Sequence, residues 1–476
     1  MGAGPGKYQG KSRKIPGQGR YDGKAQKNGI HVNKQPNIIL IVIDTLRADS
    51  SVDKISRKPV FKAISDNVSD WNIFYNCIAP SSWTIPSHAS IFTGVYPSRN
   101  GVIEDINHKI PDYSFLFNAY PGETLTEYLK EQGYNTYSFC QNGLIGKDSA
   151  FMRGMDTIVY SKNSFQETYN QMHVTLNKIY DTWGSSPKEA MKKSIRNKDT
   201  LSLIKEFYGL KRDSRKLEQM DMKKKGAVEL LRNLYNTKLT SPFYLFINLM
   251  EMHDPHDKFS FSIGWQDTVF GNNLFKKNDI YKLKQAYSGA LLEVDTFLIG
   301  LIALLKGKNV YDDTEIIITS DHGQSLFENN YFGHCNFLYD SIVKVPLFIK
   351  LPKNRKIDIQ EGYQSSTKIF QFIKQGLEAN EFYDSITSEV VFSECNGFFD
   401  PIVKKYRNSD NYKELYDKYN VPTKAVFKGS YKLIYDFDKL KIVEFEKNGI
   451  NVKPEELPRE VNSMLNDLSV FADLSL

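Results

Sequence analysis

The chain has 476 residues, 41% hydrophobic and 13% aromatic, with a formal net charge of +6. That is enough apolar material for one large α/β domain with a smaller companion, and it excludes a globally disordered chain. The charge does not indicate a nucleic-acid binder, because it is concentrated at one end. Residues 1–34 hold eight Lys/Arg against the single acid Asp22, which leaves the remainder at −1.

Residues 1–34 also hold eight glycines and read as a flexible basic tail, solvated rather than folded. They contain no apolar stretch of signal-peptide type, and the chain has no run of eighteen apolar residues, so the expectation is a cytoplasmic protein without a membrane span. Asn37–Ile43 (NIILIVI) is a continuous β-branched run, the pattern of a central parallel strand buried on both faces, and Asp44 follows it. In SSWTIPSHASIFTG (residues 81–94), Thr84 stands at a helix start with Pro86 just inside it. A helix over Thr124–Gln132 stops at Gly133 and leads into a strand, Thr136–Phe139. Residues 183–240 are helical and rich in Lys and Arg (Lys188, Lys192, Lys193, Arg196, Lys198, Lys223 to Lys225), and read as an insertion with a solvated charged face. The alternative is a wall that selects an anionic substrate.

A third strand, Phe243–Leu249, precedes Glu251, His253 and His256; after the helical stretch Asp279–Leu305, a fourth, Glu315–Thr319, precedes Asp321 and His322; Leu347–Lys350 completes the set. Strands alternating with helices predict a doubly wound, mostly parallel sheet flanked by helices. From Val390 the period changes to short strands (Val390–Ser393, Ala425–Phe427, Tyr431–Tyr435, Ile442–Phe445) and a closing helix, Pro458–Phe471, as for a small antiparallel α+β subdomain. The expected boundaries are 35–384 for the catalytic domain and 385–476 for the small one. Cys77, Cys140, Cys335 and Cys395 are scattered without a CxxC and read as buried thiols.

Ligands of such sheets bind beyond the carboxyl ends of the strands. Three strands here end in Asp44, the Glu251/His253/His256 cluster and Asp321/His322, which are metal and acid–base side chains. The segments IVIDTLRAD, APSSWTIPSHASIFTGVYPSRNGV, FINLMEMHDPH, ITSDHGQSLFE with FGHCNFLYDSIVKVPLFI, and AVFKGSYKLIYD resemble, in order, those of the sulfatase family within the alkaline phosphatase superfamily. The resemblance implies that Asp44, Asp321 and His322 hold a divalent metal with Thr84 as nucleophile and further ligand. It implies that His253 and His334 bind the anion or protonate the leaving group. Arg47, His88 and His256 are further substrate-binding candidates. The implied cofactor is one divalent ion (Mn, Zn, Ca or Mg), with a second site open to Glu251, His253, His256 and His334.

Three positions depart from the sulfatase pattern. The aspartate usual beside Asp44 is Thr45, the motif arginine is His88, and the nucleophile is Thr84 where sulfatases carry Cys or Ser. Formylglycine cannot form at a threonine, because oxidation at its Cβ gives a ketone. These residues point to a phosphate-ester hydrolase or transferase that forms a covalent phospho-enzyme on Thr84. The alternatives are a sulfuric ester hydrolase working without formylglycine and a degenerate, non-catalytic homologue. The expected partner is a small-molecule or glycan phosphate or sulfate ester, with no nucleic acid; oligomeric state is left open.

Overall fold

The computed structural model describes residues 35–476 except 54, 104–116, 147–148, 162–174, 176–177, 180–181, 184–186, 219–224, 272–274, 359–360, 380–385, 399–405, 407–410 and 474–476. The basic tail lies outside the described residues. Residues 36–476 form one compact unit.

Among the described residues the main sheet has nine strands: β1 (Asn37–Ile43), β2 (Asn72–Ile78), β3 (Asn135–Cys140), β4 (Thr157–Tyr160), β5 (Phe243–Leu249), β6 (Thr314–Thr319), β9 (Lys344–Lys350), β10 (Tyr363–Ser365) and β11 (Thr387–Ser388). A two-stranded ribbon, β7 (Ser325–Leu326) and β8 (Phe332–Gly333), stands apart from it. The order across the main sheet is β11-β10-β2-β9-β6-β1-β5-β3-β4. The run β6-β1-β5-β3-β4 is parallel throughout. All seven residues of β1 are buried. Ile38, Leu40 and Val42 enter one core cluster and Ile39, Ile41 and Ile43 the other, so a period of two is hidden in a sequence that reads as continuously apolar.

The helices that matter for the site are α1 (Thr84–Thr93), α2 (Leu125–Glu131), α3 (Pro187–Arg196), α4 (Thr200–Glu218), α5 (Ala227–Asn236), α6 (Lys277–Gly307), α7 (Lys368–Ala379) and α8 (Pro458–Asp473). α1 is buried along its whole length and stops at Gly94, whose φ of 73° is the left-handed conformation favoured at a helix C-terminus. α2 starts on the capping box Thr124/Glu127. α6 is long and apolar enough to cross a membrane by length and composition. Its buried side, with Leu283, Tyr287, Val294, Leu298 and Leu301, belongs to the same apolar cluster as Ile39 and Ile41, which is how a core helix behaves.

The sheet differs from the sequence expectation in strands β4, β10 and β11, which were not anticipated, and in two further features. β2 lies between Asp44 and Thr84 and was not anticipated, because a register shift between Phe74 and Cys77 leaves Tyr75 and Asn76 exposed and blurs the alternation. β9 runs antiparallel to both β6 and β2. The C-terminal sheet, β12 (Val390–Asn396), β13 (Pro422–Lys428), β14 (Tyr431–Asp436), β15 (Lys441–Lys447) and β16 (Ile450–Asn451), is antiparallel throughout, as its period implied. α8 covers one face through Val461, Met464 and Leu468 against Val426, Leu433 and Phe445. All four cysteines are free and buried.

Candidate active site

Four neighbouring parallel strands, β6, β1, β5 and β3, end on the same edge of the sheet, and each is followed by a polar side chain of the site. The Asp44 backbone N–H donates to Leu249 O (2.8 Å), so the carboxylate leaves β1 in register with the end of β5. The Ser320 hydroxyl lies 2.5 Å from Ile43 O and 2.6 Å from His322 O and accepts from Leu46 N (3.0 Å), tying the loop after β6 to the loop after β1. Thr45 has a φ of 61°, an uncommon conformation for a β-branched residue. In it the Thr45 N–H donates to Asp321 Oδ1 at 3.3 Å. The position where sulfatases commonly carry a second aspartate thus contributes a backbone donor to the remaining one.

Asp44, Asp321 and His322 are completely buried, and one ligand atom from each lies within 4.8 Å of the others. His322 Nδ1 is 2.9 Å from Gly323 O, a pure acceptor, so Nδ1 carries the proton and Nε2 presents its lone pair. That Nε2 stands 3.5 Å from Asp321 Oδ2 and 3.8 Å from Asp44 Oδ1. Both of these carboxylate oxygens are buried without a hydrogen-bond donor. Two orphaned carboxylate oxygens facing one imidazole lone pair is a donor set that fits a divalent cation. The protein electrostatics agree. Burial and the neighbouring Asp321 push the Asp44 carboxyl up to about 8. Burial also acts on Asp321, but His322, His88 and two backbone N–H groups hold it below its ordinary value. Without a cation the pair keeps a proton.

Thr84 is the first residue of α1. The N-cap is Trp83, which makes no side-chain cap bond, so Thr84 does not cap the helix. Its Oγ1 lies 3.5 Å from Asp44 Oδ2 and 3.3 Å from His322 Nε2. Asn142, just past β3, donates to the same Asp44 Oδ2 at 2.9 Å. His88, one turn further along α1, places Nδ1 2.9 Å from Thr84 O and 3.5 Å from Asp321 Oδ2. It is fully enclosed, and burial lowers its pKa, so it is a neutral brace between the helix start and Asp321.

A second group consists of His253, Asp254 and His334, all partly exposed. The rings of His334 and His322 are 4.5 Å apart and those of His253 and His334 5.1 Å, so this group borders the first. Gln324 Oε1 meets His334 Nδ1 at 2.7 Å, and Asp254 O meets His253 Nδ1 at 2.6 Å, which leaves Nε2 of both rings to other partners. Burial and the two neighbouring histidines keep His334 well below the ordinary imidazole value, so it enters the chemistry neutral.

The remaining candidates have other partners. Arg47 pairs with Asp49 (2.7 Å) and Glu328 (3.1 Å) and donates to Gln324 O (3.1 Å). His256 is buried with its ring edge-to-face on Tyr287, centroids 5.2 Å apart. Glu251 Oε1 accepts from Ala227 N (2.8 Å) at the start of α5 and from Gln141 Nε2 (3.3 Å). The second group therefore draws on Asp254 where Glu251 and His256 were expected. At Gly323 the backbone passes so close to its neighbour that a Cβ there would lie 2.3 Å from Ser341 O. Asn142, Gln324, Asp254 and Lys225 do not stand out as site residues in the sequence; Asn142 follows a strand end, and that signal was available.

Comparison with known proteins adds the lineage. Human iduronate 2-sulfatase is 23% identical over 370 residues, covering 66% of this chain, which spans 60% of that protein. The "multifunctional alkaline phosphatase superfamily protein PehA" of Trinickia caryophylli is 32% identical over 103 residues, 21% of this chain and 20% of the relative. The fold superposes on the phosphonate monoester hydrolase of Agrobacterium radiobacter with a TM-score of 0.60 at 15% identity, covering 93% of this chain and 96% of that one. The sequence profile of the Sulfatase family matches residues 36–376, most of the described unit, and the chain belongs to that family.

Proposed function

We propose that this protein is a divalent-metal-dependent hydrolase or transferase of phosphorus-containing esters, with the unmodified Thr84 hydroxyl as nucleophile. The observation that carries the reading is the placement of Thr84 Oγ1, 3.3 Å from His322 Nε2 and 3.5 Å from Asp44 Oδ2, at the buried start of a helix. Asp44, Asp321 and His322 would hold the cation with Thr84 beside them. When bound, the cation supplies Lewis-acid charge that lowers the pKa of a neighbouring hydroxyl and offsets negative charge on the reacting group.

Thr84 gives its proton to Asp44 Oδ2, which it faces at 3.5 Å, Oγ1 attacks phosphorus in line with the leaving oxygen, the P–O bond to that oxygen breaks, and the phosphoryl group is carried on threonine. Asn142 holds the Asp44 carboxylate in position, and His88 fixes the backbone of Thr84. His253, on the more open side, is the residue that protonates the leaving oxygen. His334, with His253 and Asp254, would present its Nε2 lone pair to a second cation. Water or an acceptor hydroxyl then attacks the phospho-threonine and regenerates Thr84. The names of two of the similar proteins, a phosphonate monoester hydrolase and a multifunctional alkaline phosphatase superfamily protein, support phosphorus as the reacting atom. The similarity to iduronate 2-sulfatase favours a second reading, sulfate-ester hydrolysis on the same scaffold.

The test is a matched panel of aryl phosphate, aryl phosphonate and aryl sulfate esters given to protein reconstituted separately with Mn, Zn, Mg and Ca. The proposal expects the phosphorus esters to be turned over faster than the sulfate. Preferential turnover of the aryl sulfate would sink it in favour of the second reading.

A further inference from the structure

The charged insertion between β4 and β5 carries Lys188, Lys192, Lys193, Arg196 and Lys198 on its exposed surface, as a solvated face should. Lys225 is the exception. It is only 1% exposed, and its Nζ has no hydrogen-bond partner among the described residues. It sits just before α5, fixed there by Gln141 Nε2 donating to its carbonyl (3.2 Å). The charges that act on it are Asp254, then Glu251, then Asp44. These belong to the second histidine group, the loop after β5 and the metal cluster, and Gln141, which holds the Lys225 carbonyl, also bonds Glu251 and precedes Asn142, the partner of Asp44. A buried ammonium with no acceptor is costly, and burial accordingly lowers its pKa to about 8.

We propose that Lys225 Nζ is the fixed cation that binds the non-bridging oxygens of the ester's anionic group. This rests on the reading of the site as one for anionic esters, and it extends that reading to a residue outside all five family-like segments. A simple counter-charge for Glu251 would be expected to form an ion pair, but neither carboxylate oxygen of Glu251 bonds to Nζ, and Oε1 is already taken by Ala227 N and Gln141. Among the described residues of the site, the only other Lys or Arg, Arg47, is held by Asp49 and Glu328, and burial lowers the pKa of His88 and of His334. Lys225 therefore supplies the charge that His88 does not supply in the motif's arginine position.

The experiment is calorimetric titration of inorganic phosphate into the metal-loaded full chain, as wild type, Lys225→Gln and Lys225→Arg, with metal content and melting temperature measured on each. Loss of one charge-assisted contact predicts phosphate affinity about ten- to a hundredfold weaker in Lys225→Gln, with metal content unchanged. Lys225→Arg, which keeps the charge, is expected to stay closer to wild type. Equal affinity in wild type and Lys225→Gln, or equal losses in the Gln and Arg variants, overturns the assignment of Lys225 and leaves the reading of the site standing. Wild type that binds neither phosphate nor sulfate overturns both. If Lys225→Gln does not fold, the same titration is read in Lys225→Gln/Glu251→Gln, which removes both buried charges.

Discussion

Replacing Thr84 by valine separates nucleophile from scaffold more cleanly than any other single change. Valine keeps the β-branched shape and exchanges only Oγ1 for a methyl group. Thr84 does not cap α1, and its hydroxyl stands 3.3 Å from His322 and 3.5 Å from Asp44, both long for hydrogen bonds. The stability cost is therefore about 1 kcal/mol or less, a fall in Tm of about 2 °C or less for a chain of this size. The ligand atoms of Asp44, Asp321 and His322 remain, so bound metal is expected to persist. Turnover behaves differently. Without Oγ1 no covalent intermediate forms, and what survives comes from the cation and the anion pocket alone, a loss on the order of 10³-fold or more. Thr84→Ser, which restores a hydroxyl, is expected to recover most of it. The assay is kcat on an aryl phosphate with metal content and Tm taken from the same samples. A Thr84→Val protein that holds its metal and keeps more than a tenth of wild-type turnover would refute the reasoning.

Three further outcomes follow from the same geometry. Asp321→Asn and His322→Ala each remove one ligand, and metal affinity measured by calorimetry is expected to fall about a hundredfold or more in each; unchanged affinity would place the metal elsewhere. Gly323→Ala drives a Cβ against Ser341 O at 2.3 Å, with backbone as the obstacle, so it is expected to cost roughly 1–3 kcal/mol and to lower metal occupancy with it; a wild-type melt with full metal would contradict this. For the metal-free protein, the raised Asp44 carboxyl means that the folded state holds a proton the unfolded state releases near pH 4. Its stabilising contribution is thus present below about pH 4 and is lost as pH rises towards about 8. Thermal melts from pH 5 to 8 should show this decline, reduced in Asp44→Asn and in the metal-loaded protein; identical slopes in all three would show that Asp44 does not carry it.

Much of the site was legible because buried parallel strands announce themselves as continuous apolar runs, and the residues just past them are placed by the fold. Asp44 and the Asp321–His322 pair were readable for that reason, and Thr84 from its position at a helix start. Less was readable where loops or distant partners decide the outcome. Arg47 sits three residues past Asp44 and invited an anion-binding role, yet its guanidinium pairs with Glu328, which is distant in the sequence. His88 occupies an arginine's place in the motif, but it is enclosed and faces Asp321 and the Thr84 carbonyl. Lys225 is the third of three consecutive lysines, and no local pattern distinguishes it from surface charge. β9 read as a strand, but its direction depends on a pairing with β6 and β2 that short-range periodicity does not encode.

The central claim is that phosphorus becomes bonded to Thr84. Metal-loaded protein mixed with an aryl phosphate, quenched in acid within the first turnovers and digested for mass spectrometry, tests it directly. The result expected is a phosphorylated peptide with the modification on Thr84, absent from the Thr84→Val protein. Efficient turnover of the same ester with no modified Thr84 at any quench time would contradict it.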